Sequence, residues 1–331
     1  MSDPIRIAVV GLDHWYAALP FASRVGGRSD TVLAAVVDGD RARAAEVAHD
    51  ARCERVETDP SSVIEDPSID AIAFFTSVDQ NARLCIAAAG AGKHIVSVKP
   101  LAMTLAEADA VVEAVESAGT VFVPSESRRT SALAALLSSW VHGGRLGELR
   151  SGTFAMNSSL PQAWPGAEDA GWWVDPRRAP GGGWIDHAVY QIDRMRWLFG
   201  SEVARTSGTV ATIAHPGLQV EDYGHAVFTL ESGAVVTVED TWVAGAGAFS
   251  NRGHLVGSDG SVFYDTTTGL FGWATEGGPW TYHALPDDSF DTLDVLVRAL
   301  RDGVAPPVSV RDARATLGIA LGFYSAATAA G

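Results

Sequence analysis

The residues whose types and spacing suit proton transfer follow the glycine run Gly181–Gly183. Apolar residues recur at helical spacing over positions 184–197, which predicts a helix. On this helix Asp186, Tyr190 and Asp193 occupy positions i, i+4 and i+7, so they share one face. A carboxylate and a phenol side by side are able to exchange protons with a substrate in a pocket. The alternative is that Asp186 stabilises the positive end of the helix and Tyr190 packs in the core.

Polar residues follow the predicted strands of the N-terminal part. Near-continuous apolar segments alternate with helical ones as far as Val123, which predicts a parallel sheet covered on both faces. The predicted strands are Ile5–Val10, Thr31–Asp38, Ala71–Phe75, His94–Val98 and Thr120–Val123. Ligands of such sheets bind outside the carboxyl ends of the strands. The candidate site residues at these ends are Asp38, Thr76, Lys99 and Glu126.

The segment Gly11–Tyr16 occupies the place of a dinucleotide-binding fingerprint. That fingerprint needs glycines for a tight turn, for the approach of the pyrophosphate and for helix packing. Only Gly11 is present, and Asp13 and Tyr16 replace the other two glycines. Asp13 also adds a carboxylate that would repel a diphosphate. The helix N-terminus still offers free N–H groups to an anion. Asp38 suits a ribose hydroxyl and would repel a 2′-phosphate, which favours NAD over NADP, whereas the nearby Arg41 and Arg43 are a counter-signal.

The pattern changes after residue 125, where short strands separated by turns predict an antiparallel or mixed sheet. The predicted strands are Leu149–Asn157, Ala204–Ala214, Tyr223–Leu230, Ala234–Trp242, His254–Val256 and Ser261–Tyr264. A loop rich in Pro, Gly and Trp precedes the glycine run. Besides the helix that follows this run, the predicted helices of the chain are Arg41–Ala51, Gln80–Ala91, Leu105–Ala118, Ser131–His142, Phe290–Arg301 and 310 to about 329.

Composition argues against several classes of function. The 24 basic and 40 acidic residues give a formal net charge of −16, which argues against nucleic acid or an anionic membrane surface as a partner. The two cysteines, Cys53 and Cys85, lie far apart, and no histidine pair has the spacing of metal ligands, so no metal site is expected. No signal peptide is recognisable, and the uncharged C-terminal segment is too polar for a transmembrane helix. We therefore expect a cytoplasmic protein.

Several motifs together resemble the Gfo/Idh/MocA oxidoreductase family, over nearly the whole chain. The first is A-G-K-H-I-V-S-V-K-P-L-A at 91–102, and the second is W-V-D-P…G-G-G…D…Y…D at 173–193. A V-E-D triplet at 220–222 and the segment S-G-A-V-V-T-V also agree. The resemblance implies an N-terminal Rossmann domain, residues 1–125, that binds NAD. It also implies an α/β domain, residues 126–331, with a largely antiparallel open sheet for substrate binding and for pairing into a homodimer or homotetramer.

The resemblance also assigns site residues. The implied cofactor-binding residues are Gly11, Asp13, His14, Asp38, Thr76, Ser77, Asn81 and Lys99. The implied substrate-binding residues are Trp173, Asp186, His187 and Tyr190. Lys99 matches the lysine of the family's E-K-P motif, and Tyr190 takes the place of the family's histidine. Our hypothesis is that Tyr190 exchanges the proton, Lys99 polarises the reacting oxygen, and Asp186 orients a substrate hydroxyl or Lys99.

The function expected from these residues is NAD(H)-dependent oxidation or reduction at a CH–OH or ketone of a sugar, cyclitol or related polyol. Two alternatives stay open at this point. The altered glycine fingerprint is compatible with a sensor that holds a ligand without turnover. The fold also suits a lyase or hydrolase that uses NAD as a resident redox catalyst.

Overall fold

The computed structural model describes residues 3–329, which form two β-sheets covered by helices. The strands of the first sheet are β1 (Ile5–Val10), β2 (Thr31–Val37), β3 (Val56–Glu57), β4 (Ala71–Phe74), β5 (His94–Ser97) and β6 (Phe122–Pro124). Their order is β3-β2-β1-β4-β5-β6, and every neighbouring pair is parallel. This order is that of a Rossmann fold, in which the chain reverses direction of travel beside β1. The predicted Rossmann sheet is confirmed.

Helices connect and cover the strands. They are α1 (Trp15–Gly27), α2 (Arg41–Asp50), α3 (Ser61–Ile64), α4 (Val78–Gly90), α5 (Leu105–Ala118), α6 (Ala132–Val141), α7 (Gly183–Phe199), α8 (Thr292–Asp302) and α9 (Val310–Ala326). Local signals fix their ends: Thr104 and Glu107 form a capping box before α5, and Gly119 ends that helix in the left-handed conformation. Within residues 3–329 no helix is long and apolar enough to cross a membrane.

The second sheet is mostly antiparallel, as predicted. Its strands are β7 (Leu149–Asn157), β8 (Val203–Ala211), β9 (Tyr223–Leu230), β10 (Val235–Thr241), β11 (Ser250–Gly257), β12 (Gly260–Asp265), β13 (Leu270–Thr275), β14 (Thr281–Ala284) and β15 (Ala327–Ala329). Their order is β14-β13-β12-β11-β7-β10-β9-β8-β15, with parallel pairs only at β7–β10 and β8–β15 among the described residues. Helix α7 packs on this sheet, mainly against β10.

The last predicted helix was too long by three residues. It ends at Ala326, and Ala327–Ala329 pair with Gly208–Val210 of β8 instead. Ladder hydrogen bonds with an open sheet edge outweigh the helical preference of this alanine-rich segment. Strands β3, β13 and β14 were not predicted: β3 has two residues, β14 has four, and β13 has a glycine in its interior.

Helix α8 returns to the first sheet. Its buried residues Leu293, Leu296 and Val297 pack in the same core as β1 and β5. The predicted domain boundary at 125/126 stays a prediction, and the outermost residues of both predicted domains, 1–2 and 330–331, lie outside the described residues.

Candidate active site

A cavity of about 430 Å³ lies at the carboxyl ends of the first sheet, and we call it the strand-end cavity. Gly11, Asp13, Asp38 and Thr76 line it, as the strand ends predicted. Gly11 has φ +80°, and a Cβ there would come within 2.4 Å of Thr76 Cγ2, so no larger residue fits this turn. Asp38 is buried and accepts hydrogen bonds from the Leu12 amide, at 2.9 Å, and from a neighbouring arginine.

The Asp13 carboxylate in this cavity is surrounded by donors. It accepts a hydrogen bond from the Ser77 amide, at 2.9 Å, and lies 3.4 Å from the Arg178 guanidinium. Arg43, which binds Asp38, is 3.9 Å away. The two arginines line the same cavity and compensate the repulsion that Asp13 would exert on an anion.

Helix α7 begins where the second sheet approaches it most closely. A Cβ on Gly182 would lie 2.0 Å from the Glu221 carbonyl oxygen, so the glycine run is required by packing. The Glu221 carboxylate accepts hydrogen bonds from the amides of Gly182 and Trp184 and thereby caps the helix. Asp186 is therefore not the cap, although it lies in the first turn of α7, where its charge also favours the positive end of the helix.

Asp186 instead binds Lys99, which follows β5. The Lys99 ammonium donates hydrogen bonds to the carboxylate and to the backbone carbonyl of Asp186. Trp242 donates from Nε1 to the other carboxylate oxygen, at 3.0 Å. Lys99 and Trp242 are each 1% exposed, so water does not compete with this group. Two independent parts of the sequence thus meet at one buried ion pair.

The charges of this pair are fixed by their surroundings. Burial alone would lower the pKa of Lys99, but Asp186, Tyr16 and Tyr190 raise it above its ordinary value. Burial would raise the pKa of Asp186, but the interactions with His187 and Lys99 hold it below its usual range. His187 is uncharged at neutral pH, because burial lowers its pKa to about 4, so the Lys99 ammonium is the partner that keeps Asp186 ionised there.

A second cavity, of about 790 Å³, opens in front of this pair, and we call it the aromatic cavity. Its wall includes Trp15, Tyr16, Trp173 and Phe249, together with Asp186 and His187. The Lys99 nitrogen lies 5.5 Å from the Trp173 ring centre, directly behind this wall. None of the described residues that line the cavity is a lysine or arginine.

Tyr190 lies beneath the cavity rather than on its wall. Its ring centre is 5.3 Å from the Lys99 nitrogen and 4.8 Å from the Arg128 guanidinium carbon. The His187 ring stacks beside it, at 6.2 Å. Asp193, one helical turn further on, is buried in an ion pair with Arg129 at 2.7 Å. On the predicted helix face, Asp186 and Tyr190 therefore contact Lys99, whereas Asp193 contacts Arg129.

Besides Lys99, three predicted cofactor residues line neither cavity. His14 is fully buried against Trp172 and hydrogen-bonds the Thr76 carbonyl oxygen through Nδ1, at 3.0 Å. Burial lowers its pKa to about 3, so the ring is neutral. Ser77 accepts a hydrogen bond from Arg178, at 2.8 Å. Asn81 is buried and donates to Ser97 and to the Leu101 carbonyl, which is a structural contact.

Two further buried carboxyl groups surround the ion pair. Glu126, after β6, is 2% exposed, and burial raises its pKa to about 8. Asp240 on β10 is fully buried, neither of its carboxyl oxygens has a hydrogen-bond partner, and burial raises its pKa well above the ordinary value. Burial therefore favours the neutral form of both carboxyl groups, whereas Lys99 and Asp186 hold their charges.

Comparison with known proteins agrees with this geometry. Residues 5–125 match the model of an oxidoreductase family with an NAD-binding Rossmann fold, and residues 135–263 match the GFO/IDH/MocA C-terminal domain. The chain belongs to the Gfo/Idh/MocA oxidoreductase family. Among its relatives, scyllo-inositol 2-dehydrogenase (NAD(+)) of Bacillus subtilis is 30% identical over 80% of this chain and 75% of the relative. Myo-inositol 2-dehydrogenase of Thermotoga maritima is 26% identical over 95% of this chain and 93% of the relative.

Solved structures of the Gfo/Idh/MocA fold superpose on the whole chain. A levoglucosan dehydrogenase in complex with NADH gives a TM-score of 0.86 at 21% identity, covering 98% of this chain and 97% of that one. An aldose-aldose oxidoreductase from Caulobacter crescentus, complexed with glycerol, gives 0.84 at 23% identity, with the same coverage. At these identities the likeness establishes the fold.

The strand-end cavity fits the NAD expected of a Gfo/Idh/MocA protein. Gly11 leaves room that a Cβ would fill, and the buried Thr76 Oγ1 has no hydrogen-bond partner. Arg178 adds a cation to the cavity wall. The chemistry of these groups matches a sugar and a diphosphate. Within residues 3–329 no cluster of three or more His, Cys, Asp or Glu side chains is arranged to hold a metal.

Sequence reasoning missed three contacts of the site. The sequence leaves open whether Arg178 binds an anion or lies solvated at the surface, and the structure places it 3.4 Å from Asp13. Trp242 ends a predicted strand, but nothing in the sequence connects its indole to Asp186. Tyr16 was interpreted as a damaged fingerprint position, whereas its side chain lines the aromatic cavity. Trp184, for which the sequence leaves ligand contact and core packing open, is fully buried against Phe323.

Proposed function

We propose that this NAD-binding oxidoreductase acts on the CH–OH group, or the corresponding ketone, of a neutral sugar, cyclitol or related polyol. The observation that carries the proposal is the buried Lys99 ammonium, fixed by Asp186 directly behind the wall of the aromatic cavity. An ammonium has three donors, and Asp186 takes two of them, so one remains for an oxygen in the cavity.

The cavity wall supports the substrate class. The described lining residues include aromatic rings and neutral hydrogen-bonding groups such as Gln162 and Ser158, without a lysine or arginine to bind a carboxylate or phosphate. Aromatic faces suit the apolar faces of sugar and cyclitol rings. The names of the relatives, two of which are inositol dehydrogenases, point the same way.

We assign the roles as follows. Gly11, Asp38, Thr76 and Arg178 would hold the nucleotide, and Lys99 lies at the nicotinamide end. The bound nicotinamide supplies hydride-transfer chemistry. Lys99 polarises the reacting oxygen, Asp186 holds Lys99, and a phenol beside Lys99 exchanges the proton. Tyr190 is the phenol predicted from the sequence.

Fluorescence titration with NADH and NADPH, followed by turnover assays on a panel of polyols, tests the proposal. We expect NADH to bind at least about tenfold more tightly than NADPH, because the Asp38 carboxylate repels a 2′-phosphate. Turnover should occur with neutral substrates and not with sugar acids or phosphates. Failure to bind either nucleotide would contradict the proposal, and binding without turnover on any substrate would favour a sensor.

We also propose that the second sheet pairs two copies into a homodimer or homotetramer. Trp280 and Tyr282 beside this sheet are 40% and 54% exposed, and large exposed aromatic residues are typical of interfaces. Light scattering of the purified protein tests this, and a monomer at micromolar concentration would contradict it.

A further inference from the structure

Tyr16 lies on the side of Lys99 that faces the aromatic cavity. It lies in the first turn of α1, where the third glycine of a dinucleotide fingerprint is expected. Its ring stacks on Trp173, with centres 6.1 Å apart and an angle of 30° between the planes. The residue is 44% exposed and lines the aromatic cavity together with Asp186, and the centre of the Trp173 ring on which it stacks lies 5.5 Å from the Lys99 nitrogen. A phenol in this place faces the cavity contents and interacts electrostatically with the ammonium.

Tyr190 approaches the same ammonium in a different way. It is 9% exposed and lies outside the wall of the aromatic cavity. Its ring contacts two cations, Lys99 at 5.3 Å and Arg128 at 4.8 Å, which is the geometry of cation–π stabilisation. These contacts hold Lys99 in position on the side away from the aromatic cavity, whereas Tyr16 lies on the side of the cavity.

We propose that Tyr16 is the phenol that exchanges a proton with the substrate oxygen and that Tyr190 positions Lys99. This inference rests on the proposed function. It gives the altered fingerprint a purpose: the glycine position that is lost supplies a hydroxyl to the reacting centre.

The proton balance is complete with the groups at hand. In the reductive direction the substrate carbonyl carbon accepts a hydride, for which the reduced nicotinamide is the reductant, and the carbonyl π bond breaks toward oxygen. Tyr16 transfers its O–H proton to that oxygen, which yields the alcohol. The phenolate left on Tyr16 takes a proton from water in the cavity. Oxidation reverses each step, with the phenolate as the proton acceptor.

The charge of Lys99 supports this exchange. Desolvation raises the pKa of Tyr16 well above its ordinary value, and the Lys99 ammonium only partly offsets this increase, so Tyr16 rests as the protonated phenol that the reductive direction requires. Since 44% of Tyr16 stays open to the cavity, water also reaches the ring.

The test compares Tyr16→Phe with Tyr190→Phe, which remove one hydroxyl each, and with Tyr282→Phe as an exposed control. We expect Tyr16→Phe to lower kcat roughly 10²–10³-fold, the usual range for loss of an acid–base group, with the NADH Kd within about twofold of the wild type. Its pH–rate profile should lose the limb that reports the phenol. Tyr190→Phe should lower kcat less than Tyr16→Phe, and Tyr282→Phe should leave it unchanged.

A readout without turnover separates a chemical role from a packing role. Thermal unfolding of the free protein should be nearly the same for Tyr16→Phe and the wild type, because the variant keeps the ring that stacks on Trp173. A Tyr16→Phe enzyme that keeps kcat within threefold, or one that loses NADH binding, would overturn the inference while leaving the proposed function standing. A wild-type protein without any polyol turnover would overturn both.

Discussion

Two regions of the molecule pair a carboxylate with a cation, and they differ in their access to water. At the chemical end the Lys99 and Asp186 side chains are 1% and 7% exposed. At the nucleotide end the Arg178 and Asp13 side chains are 37% and 17% exposed. Charge interactions strengthen where water is excluded and weaken where water and salt screen them. The first pair is therefore a fixed part of the site, whereas the second is able to open when a diphosphate competes for the arginine.

The largest effect should come from Lys99→Met, which leaves Asp186 buried without its cation. We expect kcat to fall about 10³-fold or more, because charge stabilisation at the reacting oxygen is lost. The unfolding free energy should fall by about 3–5 kcal/mol, since an uncompensated buried charge remains. Steady-state rates and denaturant unfolding measure these changes.

The matched control is Lys93→Met, which alters the other lysine of the chain. Its ammonium donates to the carbonyl oxygens of Asp66 and Ile69, at the amino ends of β4 and β5, whereas the site lies at the carboxyl ends of these strands. This variant should be less stable but should keep its kcat. Equal loss of activity in both variants would mean that Lys99 acts only through stability.

The second effect concerns Glu126, a buried residue at the chemical end. The pKa of its carboxyl group is raised to about 8 from an ordinary value of 4.5. Between pH 4.5 and 8 the folded protein keeps the proton that the unfolded chain has lost, so this group makes the fold less stable as pH rises through that window. Glu126→Gln should remove this dependence. The unfolding free energy of the variant minus that of the wild type should be larger at pH 8 than at pH 5, by about 2 kcal/mol or more.

Denaturant unfolding at several pH values checks this difference. Comparing the two proteins at each pH cancels the opposite contribution of His14 and His187, whose lowered pKa values destabilise the fold in acid. A difference that is independent of pH would show that the Glu126 carboxyl is already ionised at pH 5.

A smaller effect is expected from Arg178→Met at the nucleotide end. The NADH Kd should rise about tenfold, corresponding to about 1.4 kcal/mol, and the loss should shrink at high salt. Stability should change by less than about 1 kcal/mol, as for other exposed pairs. Fluorescence titration at two salt concentrations measures the affinity, with Arg177→Met as the control, because Arg177 is 86% exposed and pairs with Asp175. If both variants bound NADH equally well, Arg178 would have no part in holding the diphosphate.

The smallest effect is expected from Asp13→Asn. The variant keeps an oxygen for the Ser77 amide and removes the negative charge from the strand-end cavity. NADH affinity, measured by the same titration, should stay unchanged or improve up to about threefold, because Arg43 and Arg178 already offset most of the repulsion. A loss of more than tenfold would show that the charge of Asp13 is needed to hold the arginines in place.

The sequence predicts the contacts of the chemical end better than those of the nucleotide end. Asp186 and Tyr190 share a helix face by simple periodicity, and Lys99 follows a strand end, so their meeting follows from the rules of a parallel sheet. The Rossmann strands are predictable for the same reason, since apolar runs alternate with amphipathic helices.

The contacts of the nucleotide end depend on the position at which a long loop folds back onto the first sheet. No local sequence pattern predicts that position. The Arg178 side chain is placed by the loop that carries Trp172, whose indole donates to the Asp13 carbonyl oxygen at 3.3 Å. Strands such as β14 depend on pairing with a neighbour already in place, and its four exposed residues have no apolar period to detect. Tyr16 was misjudged because a fingerprint position was compared only with glycine.

The return of α8 to the first sheet bears on how the chain is made. Leu293, Leu296 and Val297 complete a core whose strands all lie before residue 125. A ribosome therefore releases the strands of the nucleotide-binding half long before the helix that covers them. We expect this half to remain partly open during synthesis of the second sheet, so that the two halves become stable together rather than one after the other.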